Sequence, residues 1–372
     1  MGLSCSPRVF TKLLKPVFST LRSSFGISCL GYIDDSFYTD DTLAGCQEAT
    51  LQATMLLTKL GFSVHREKSV LRPTQQLEYL GFQLNSVSMS VSVTKAKISS
   101  IVGLCREFVF KKSGSIRAYR HLVRDKDLAL RHSAGNFEVM MILSEESIIE
   151  LEWWITFLPT ASKLINHGPI NYTIFVDASR KGWGGGIVDE SRTQGLWSLE
   201  EAVHDINILE MLAALFGLQA LCGHLHKVHI RIMSDNATAV SYINCMGGTK
   251  SWSCNSVAYK IWYWAIERNI WLTAAHTPGI KNVEADVLSR NFVSGLEWQM
   301  NAGIFSKIVD CFGVPDIYLF ASRINHRVPA YASWKPDPNA VIIDAFTSDW
   351  STFKQFYVFP PFCLIARCLQ KI

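Results

Sequence analysis

The sequence predicts an α/β (α+β) protein in which short strands alternate with amphipathic helices. Of its 372 residues, 48% are hydrophobic and 18% are charged, which is enough apolar material to fill a core. This length fits about two to three domains of roughly 100–200 residues each. Apolar residues recur at helical spacing over residues 7–25, whereas residues 173–176 form a short β-branched and aromatic run typical of a buried strand.

The predicted elements fall into four regions. In residues 1–92 the patterns predict helices over 7–25 and 42–60, with strands over 27–33, 36–39, 63–64 and 79–84. Residues 93–168 are predicted to be a helical connection. In residues 169–294 we expect strands over 173–177, 183–188, 228–233 and 270–275, and helices over 206–221, from 236 and near 283. Residues 295–372 form an aromatic-rich C-terminal segment with a small α/β pattern.

A basic block lies in the helical connection. Between residues 95 and 131 there are ten Lys or Arg side chains against three acidic ones, whereas the whole chain carries a net charge of only +4. Such a block can follow a phosphate backbone, but it is also typical of a solvated helix face. The candidate nucleic-acid contacts are Lys95, Lys97, Lys111, Lys112, Arg117 and Arg120.

Cysteine spacing and hydropathy argue against a zinc-binding protein and against a membrane-spanning protein. The ten cysteines include no CxxC pair, so the spacing of a zinc site is absent and reduced thiols are expected. No apolar run approaches the ~20 residues of a membrane span, so we expect no membrane partner. An intracellular location, in the cytoplasm or the nucleus, is the simplest expectation.

Asp34 and Asp35 are adjacent carboxylates at the predicted tip of a hairpin. Two such charges repel each other unless a divalent cation neutralises them, which makes a phosphoryl-transfer metal site a candidate. A solvated Asp-Asp turn is the alternative that the four residues around the tip leave open.

Motifs around this turn appear in one order, at residues 2–10, 32–35, 61–62 with 67–69, and 80–82. In this order they resemble the palm of a retroelement reverse transcriptase. The resemblance implies that Asp34 and Asp35 are polymerase carboxylates and that Lys68 protonates the pyrophosphate leaving group. That family takes a further aspartate from an upstream strand, so we expect lost RNA-directed DNA polymerase activity unless another retroelement polypeptide supplies it.

A second acidic set lies in residues 169–294. Asp177 and Asp235 each end a predicted strand, Glu210 lies within an apolar helix, and Asp286 lies near a helix start after a loop that carries His276. Carboxylates at the carboxyl ends of adjacent strands can converge and hold two Mg²⁺ roughly 3.5–4 Å apart. Such a pair of ions activates a water on one side of a phosphodiester and stabilises the leaving oxygen on the other.

Each of these residues also has a plain structural interpretation. Asp235 suits a helix cap, and Asp177 suits the end of a strand. Glu210 suits the surface of an amphipathic helix. Asp286 suits an ion pair with its neighbour Arg290, and a lone histidine is more often structural than catalytic.

Together these residues resemble the ribonuclease H fold that follows the polymerase in DIRS-like retrotransposons. The matching positions are residues 176–179, 182–184, 209–210, 234–240, 276–279, 282 and 285–290. The resemblance implies that Asp177, Glu210, Asp235 and Asp286 bind two Mg²⁺, or Mn²⁺ in their place, and that His276 assists proton transfer or product release. It also implies a substrate, the RNA strand of an RNA–DNA hybrid, recognised through its backbone and 2′-hydroxyls.

The C-terminal segment faintly resembles phage-type adenine-N6 DNA methyltransferases. That family places Asn or Asp before a Pro-Pro-aromatic motif, whereas Phe359 stands in that position here and accepts no hydrogen bond. We therefore expect a degenerate remnant at residues 295–372. The sequence as a whole predicts a retroelement-derived ribonuclease H endonuclease, with an inert or purely nucleic-acid-binding fragment as the alternative.

Overall fold

The computed structural model describes residues 6–111, 113–114, 120–187, 190–292 and 298–372. Lys112 and Arg117 lie outside these ranges. Lys111 and Arg120 lie within them, but their side chains are not described. The chain divides into two compact units, Met1–Asn166 and His167–Ile372. The predicted α/β class is confirmed. Among the described helices, none has the length and apolar character that crossing a membrane requires.

The first unit contains a helix–hairpin–helix part followed by a small sheet and three helices. Its elements are α1 (Ser6–Ser23), β1 (Ser28–Tyr32), β2 (Asp35–Thr39), α2 (Leu43–Lys59), β3 (Gln76–Tyr79), β4 (Phe82–Asn85), β5 (Ser90–Val93), α3 (Lys95–Lys111), β6 (Ser113–Gly114), α4 (Arg120–His132), β7 (Met141–Ile142), α5 (Glu145–Phe157) and β8 (Ser162–Leu164). Strands β1 and β2 form one antiparallel hairpin, and β3, β4, β5 and β8 form a four-stranded sheet in that order.

Helix α1 packs across the β1–β2 hairpin through the apolar stripe that its spacing predicts. Val17, Phe18 and Leu21 are buried in this contact. A Cβ at Gly31 would lie 2.1 Å from the Phe18 ring, so only glycine lets the helix approach the strand this closely.

Three details of the first unit correct the sequence-based prediction. The hairpin turn consists of Ile33 and Asp34, and Asp35 already pairs with Tyr32 in the ladder. Residues 63–64 form no strand, and the preceding Phe62 packs its ring against that of Phe10 on α1 at 6.1 Å. The single strand predicted over 79–84 is the turn of a hairpin, closed by two residues with positive φ, Leu80 (53°) and Gly81 (77°).

The second unit is built on one mixed sheet. Its elements are β9 (Tyr172–Ala178), β10 (Gly182–Ile187), β11 (Arg192–Leu196), α6 (Ile206–Cys222), β12 (His229–Ser234), α7 (Ala237–Asn244), α8 (Trp252–Glu267), β13 (Trp271–His276), α9 (Val283–Arg290), α10 (Ala302–Phe312), β14 (Ile317–Tyr318), β15 (Ala332–Ser333), β16 (Ile342–Ile343), β17 (Phe356–Tyr357) and α11 (Ile365–Lys371). The strand order is β11-β10-β9-β12-β13.

The sheet combines two kinds of pairing. Strands β9, β10 and β11 are antiparallel, whereas β9, β12 and β13 run parallel. Helix α6 covers one face and is buried along nearly its whole length, which explains why its sequence is apolar on every side. Because β9 and β12 are parallel neighbours, their carboxyl ends lie at the same edge of the sheet.

Residues 298–372 pack into the same compact unit as this sheet. Their short strands pair as β14 with β17 and β15 with β16, over an aromatic core that includes Tyr318, Tyr331 and Trp350. The segment therefore has a hydrophobic core of its own and also belongs to a larger folded unit.

Candidate metal centre and nucleic-acid cleft

Three of the predicted carboxylates converge at the edge where β9 and β12 end. Asp177 is the penultimate residue of β9, and Asp235 directly follows β12. Glu210 reaches the same point from the second turn of α6. One carboxylate oxygen from each residue lies within 4.8 Å of the other two. Topology therefore brings together residues that are far apart in the sequence.

Burial and mutual repulsion make this cluster costly when all three groups are ionised. Asp177 is only 3% exposed and Glu210 only 4% exposed, whereas Asp235 is open to solvent. Burial, and then the charges of Asp177 and Asp235, raise the pKa of Glu210 to about 9. Burial raises the pKa of Asp177 to about 6, with a smaller opposing effect from the hydrogen bond of Ser289.

The donor set fits a divalent cation. Carboxylate oxygens are the ligands that Mg²⁺ prefers. Within the described part of the chain, the Oε2 atom of Glu210 is buried and has no hydrogen-bond partner, which is costly for a carboxylate in a low-dielectric site. A cation between the three carboxylates would offset both the repulsion and this unpaired oxygen.

Helix α9 holds Asp177 in place through a serine. A Cβ at Gly184 would lie 2.5 Å from Leu288 Cβ, so the glycine in β10 is what allows α9 to lie against the sheet. The fully buried Ser289 hydroxyl donates to Asp177 Oδ2 at 2.6 Å. The Ser179 hydroxyl in turn donates to the backbone oxygen of Ser289 at 2.6 Å.

Asp286 is not a member of this group of three carboxylates. Its Oδ1 atom accepts a hydrogen bond from Arg290 Nε at 2.6 Å, one turn along α9, and both side chains are exposed. The ion pair that the sequence left open as the plain interpretation is thus present. Asp286 is still near enough for its charge to contribute to the raised pKa of Asp177.

His276 ends β13 beside Asp235. Its Nε2 atom lies 3.0 Å from the backbone oxygen of Asp235, which requires that this nitrogen carry the proton. The helix cap that the sequence allowed for Asp235 is supplied instead by Asn236, whose side chain accepts from the Ala239 backbone N–H at 2.9 Å. The Asp235 carboxylate is therefore not used in the cap.

A cleft of about 740 Å³ opens over the carboxylates. Its walls include three cations that the site prediction did not contain, Arg180, Lys181 and Arg290. Arg180 and Lys181 occupy the turn between β9 and β10, directly after Asp177, Ala178 and Ser179. The sequence signal for Arg180 and Lys181 was a pair of basic residues shortly after an aspartate at the end of a strand.

The predicted polymerase residues do not form a comparable cluster. Asp34, Asp35 and Lys68 are all exposed. Among the described residues, the only group of three potential metal ligands is the one in the second unit. Lys95 is exposed, and Lys97 places its ammonium 5.0 Å from the centre of the Phe82 ring.

Comparison with known proteins finds a family match for the N-terminal part of the chain. Residues 1–84 match the family described as reverse transcriptase (RNA-dependent DNA polymerase). The Gag-Pol polyprotein of avian reticuloendotheliosis virus is 32% identical over 97 residues, which span 26% of this chain and 8% of that polyprotein. These matches relate part of the chain to a reverse transcriptase family and to a viral Gag-Pol polyprotein. The narrower DIRS-like assignment stays a prediction.

Solved structures of two kinds resemble this chain at low similarity. A foamy viral protease-reverse transcriptase in complex with an RNA/DNA hybrid is 15% identical, with a TM-score of 0.35, and the match covers 79% of this chain and 40% of that one. LC11-RNase H1 in complex with an RNA/DNA hybrid is 22% identical, with a TM-score of 0.28, and the match covers 32% of this chain and 93% of that one. Both likenesses are too distant to carry an argument about function.

Ser289→Ala is expected to loosen α9, because the variant loses the hydroxyl that joins this helix to Asp177. Hydrogen exchange of the α9 amides should report a local opening free energy lower by about 1–3 kcal/mol, the usual effect of leaving a buried polar partner unpaired. Ser306→Ala removes an exposed hydroxyl on α10 and serves as the matched control. Equal α9 exchange in wild type and Ser289→Ala would show that this hydrogen bond does not hold the helix.

Proposed function

We propose that the cluster of Asp177, Glu210 and Asp235 binds Mg²⁺, with Mn²⁺ as a substitute, and that the chain hydrolyses the RNA strand of RNA–DNA hybrids inside the cell. The observation that carries this proposal is the convergence of three carboxylates, two of them buried, within 4.8 Å at one edge of a sheet. A buried cluster of this kind is unfavourable without a cation, and a stable fold does not require it.

The residues of the acidic cluster would have different roles, because they differ in burial. When bound, the metal ions would supply an activated water and charge stabilisation at the leaving oxygen. Asp177 and Glu210 are fixed by the core and would hold the ligand geometry, whereas the exposed Asp235 faces the substrate side. His276 lies beside Asp235 and would carry a proton to the departing strand. Asp286 would join the ligands only after leaving Arg290.

The cleft suits a nucleic-acid backbone. Arg180, Lys181 and Arg290 line it next to the carboxylates, so phosphates can be held by cations while one phosphodiester reaches the acidic cluster. We propose Lys95 and Lys97 as further contacts to nucleic acid.

A nucleic-acid-binding fragment without catalysis is the second candidate. It is favoured by the ion pair with Arg290, which engages Asp286, the one expected carboxylate that is not in the group of three. In this case the basic lining of the cleft would bind the hybrid, and the acidic cluster would be too small for two ions.

We also propose that the described residues do not carry DNA polymerisation by themselves. Asp34 and Asp35 are exposed and, within the described part of the chain, belong to no group of three potential metal ligands. A further carboxylate from outside the described residues would have to join them before Lys68 had a leaving group to protonate.

The purified chain should cut the labelled RNA strand of a hybrid in Mg²⁺ and leave single-stranded RNA and duplex DNA intact. EDTA should abolish the cleavage. Asp34→Asn should cleave at the wild-type rate, because this carboxylate lies in an exposed turn in the other compact unit. Binding of the hybrid without cleavage, by a sample shown to be folded, would favour the second candidate instead.

A further inference from the structure

Arg323 in the C-terminal segment forms a two-pronged ion pair with Glu201. Its Nη1 atom lies 2.7 Å from Glu201 Oε1, and its Nη2 atom lies 2.9 Å from Glu201 Oε2. The two side chains are only 16% and 19% exposed. A bidentate pair that is shielded from water in this way is stronger and more directional than a surface ion pair.

Further contacts show that Arg323 is built into the sheet unit. Its Nη2 atom also donates to the Leu196 backbone oxygen at the end of β11, at 3.0 Å. Its guanidinium lies 4.2 Å from the centre of the Phe216 ring on α6. Its own backbone N–H donates to the buried Asp337 carboxylate at 2.6 Å, which fixes the arginine within the C-terminal segment.

The ion pair leads to the rim of the cleft through residues 197–205, here called the rim loop. Glu201 Oε2 accepts from the Ser198 backbone N–H at 2.8 Å, and Ser198 Oγ accepts from the Glu201 N–H at 3.2 Å, which closes the start of the loop. At the other end, the His204 backbone oxygen accepts from Arg180 Nη1 at 2.9 Å, and Arg180 lines the cleft.

We propose that the C-terminal segment braces the cleft and that Arg323 is a positioning residue for it. Arg323 pins the rim loop through Glu201, and the rim loop holds Arg180 where it meets the phosphate backbone. The C-terminal segment thereby stabilises the cleft of the second unit. The effect on substrate rests on the function proposed above, whereas the effect on the loop does not.

Hydrogen exchange of the full chain tests the brace without any substrate. In Arg323→Ala, amides of the rim loop should exchange about tenfold faster or more, because the variant leaves Glu201 half-buried without its partner. Arg323→Lys keeps the charge but not the fork and should give an intermediate increase. Lys307→Ala removes an exposed cation on α10 of the same segment and should leave the rim loop unchanged.

Steady-state cleavage of the hybrid provides the second readout. Arg323→Ala should raise KM about three- to tenfold while kcat changes by less than twofold, since binding geometry is affected and the carboxylates are not. Faster exchange confined to the rim loop, in a chain that never cleaves, would support the brace and contradict the proposed nuclease. Wild-type exchange and KM in Arg323→Ala would overturn the brace. A faster exchange spread evenly over the second unit would also overturn the brace, because Arg323 would then be a general stabiliser. If Arg323→Ala does not fold, the exchange of the rim loop in Arg323→Lys decides the question.

Discussion

Replacing Asp177 by Asn is expected to lower the rate of RNA-strand hydrolysis by at least about a hundredfold, while the chain stays folded. The loss follows because Asp177 is one of the two buried carboxylates of the acidic cluster, and an amide supplies no negative charge to a cation. The fold survives because Asn has the same shape and its oxygen still accepts from Ser289. Single-turnover cleavage of an end-labelled hybrid measures the rate, and circular dichroism checks the fold.

Asp286→Asn is the informative companion variant. Asp286 lies outside the group of three and is paired with Arg290, so its loss is expected to lower the rate less than that of Asp177 does. An Asp286→Asn rate as low as that of Asp177→Asn would show that Asp286 leaves Arg290 to join the ligands. Wild-type cleavage by Asp177→Asn would refute the site assignment.

Glu210→Gln is expected to stabilise the metal-free chain at alkaline pH. The pKa of Glu210 is about 9 in the folded chain and near its ordinary value of 4.5 when unfolded. Between these two values the folded chain binds more protons than the unfolded one, so stability falls as pH rises from about 4.5 to about 9. The neutral amide removes this cost, and in EDTA at pH 8 the thermal midpoint of the second unit should rise by about 3–10 °C.

The pH dependence separates this effect from better packing. At pH 5 the folded wild-type chain holds Glu210 protonated, so the two proteins should unfold within about 2 °C of each other. Asp177, whose pKa is about 6, also lowers the stability of both proteins as the pH rises, but by less and at lower pH. Mg²⁺ or Mn²⁺ should raise the wild-type midpoint at pH 8 and raise that of Glu210→Gln less. A difference between the proteins that is the same at both pH values would contradict electrostatic strain as the cause.

Much of the fold could be predicted from periodicity. The spacing in α1 and the apolar run of α6 each indicated the right element, because one pattern decides each of them. Helix α8 (Trp252–Glu267) was not predicted. Its exposed Tyr259 and Tyr263 put aromatic side chains on the polar face, which weakens the amphipathic pattern. The segment at 63–64 has strand-like residues but no neighbouring strand to pair with.

The site divides in the same way. Asp177 and Asp235 were found because each follows a strand signal, and Glu210 because a carboxylate is conspicuous in an apolar helix. The ion pair of Arg323 with Glu201 joins residues more than a hundred positions apart, and no local pattern announces it. The separation of Asp286 from the cluster depends on which partner its side chain takes, which sequence does not specify.

The most direct test of the central claim compares wild type with Asp235→Asn on one RNA–DNA hybrid in Mg²⁺. Asp235 is the exposed member of the acidic cluster, so its substitution should disturb the fold least. We expect that the wild-type chain cuts the RNA strand and that the variant binds the hybrid without cutting it. Equal cleavage by both proteins, or none by a folded wild-type chain, would contradict it.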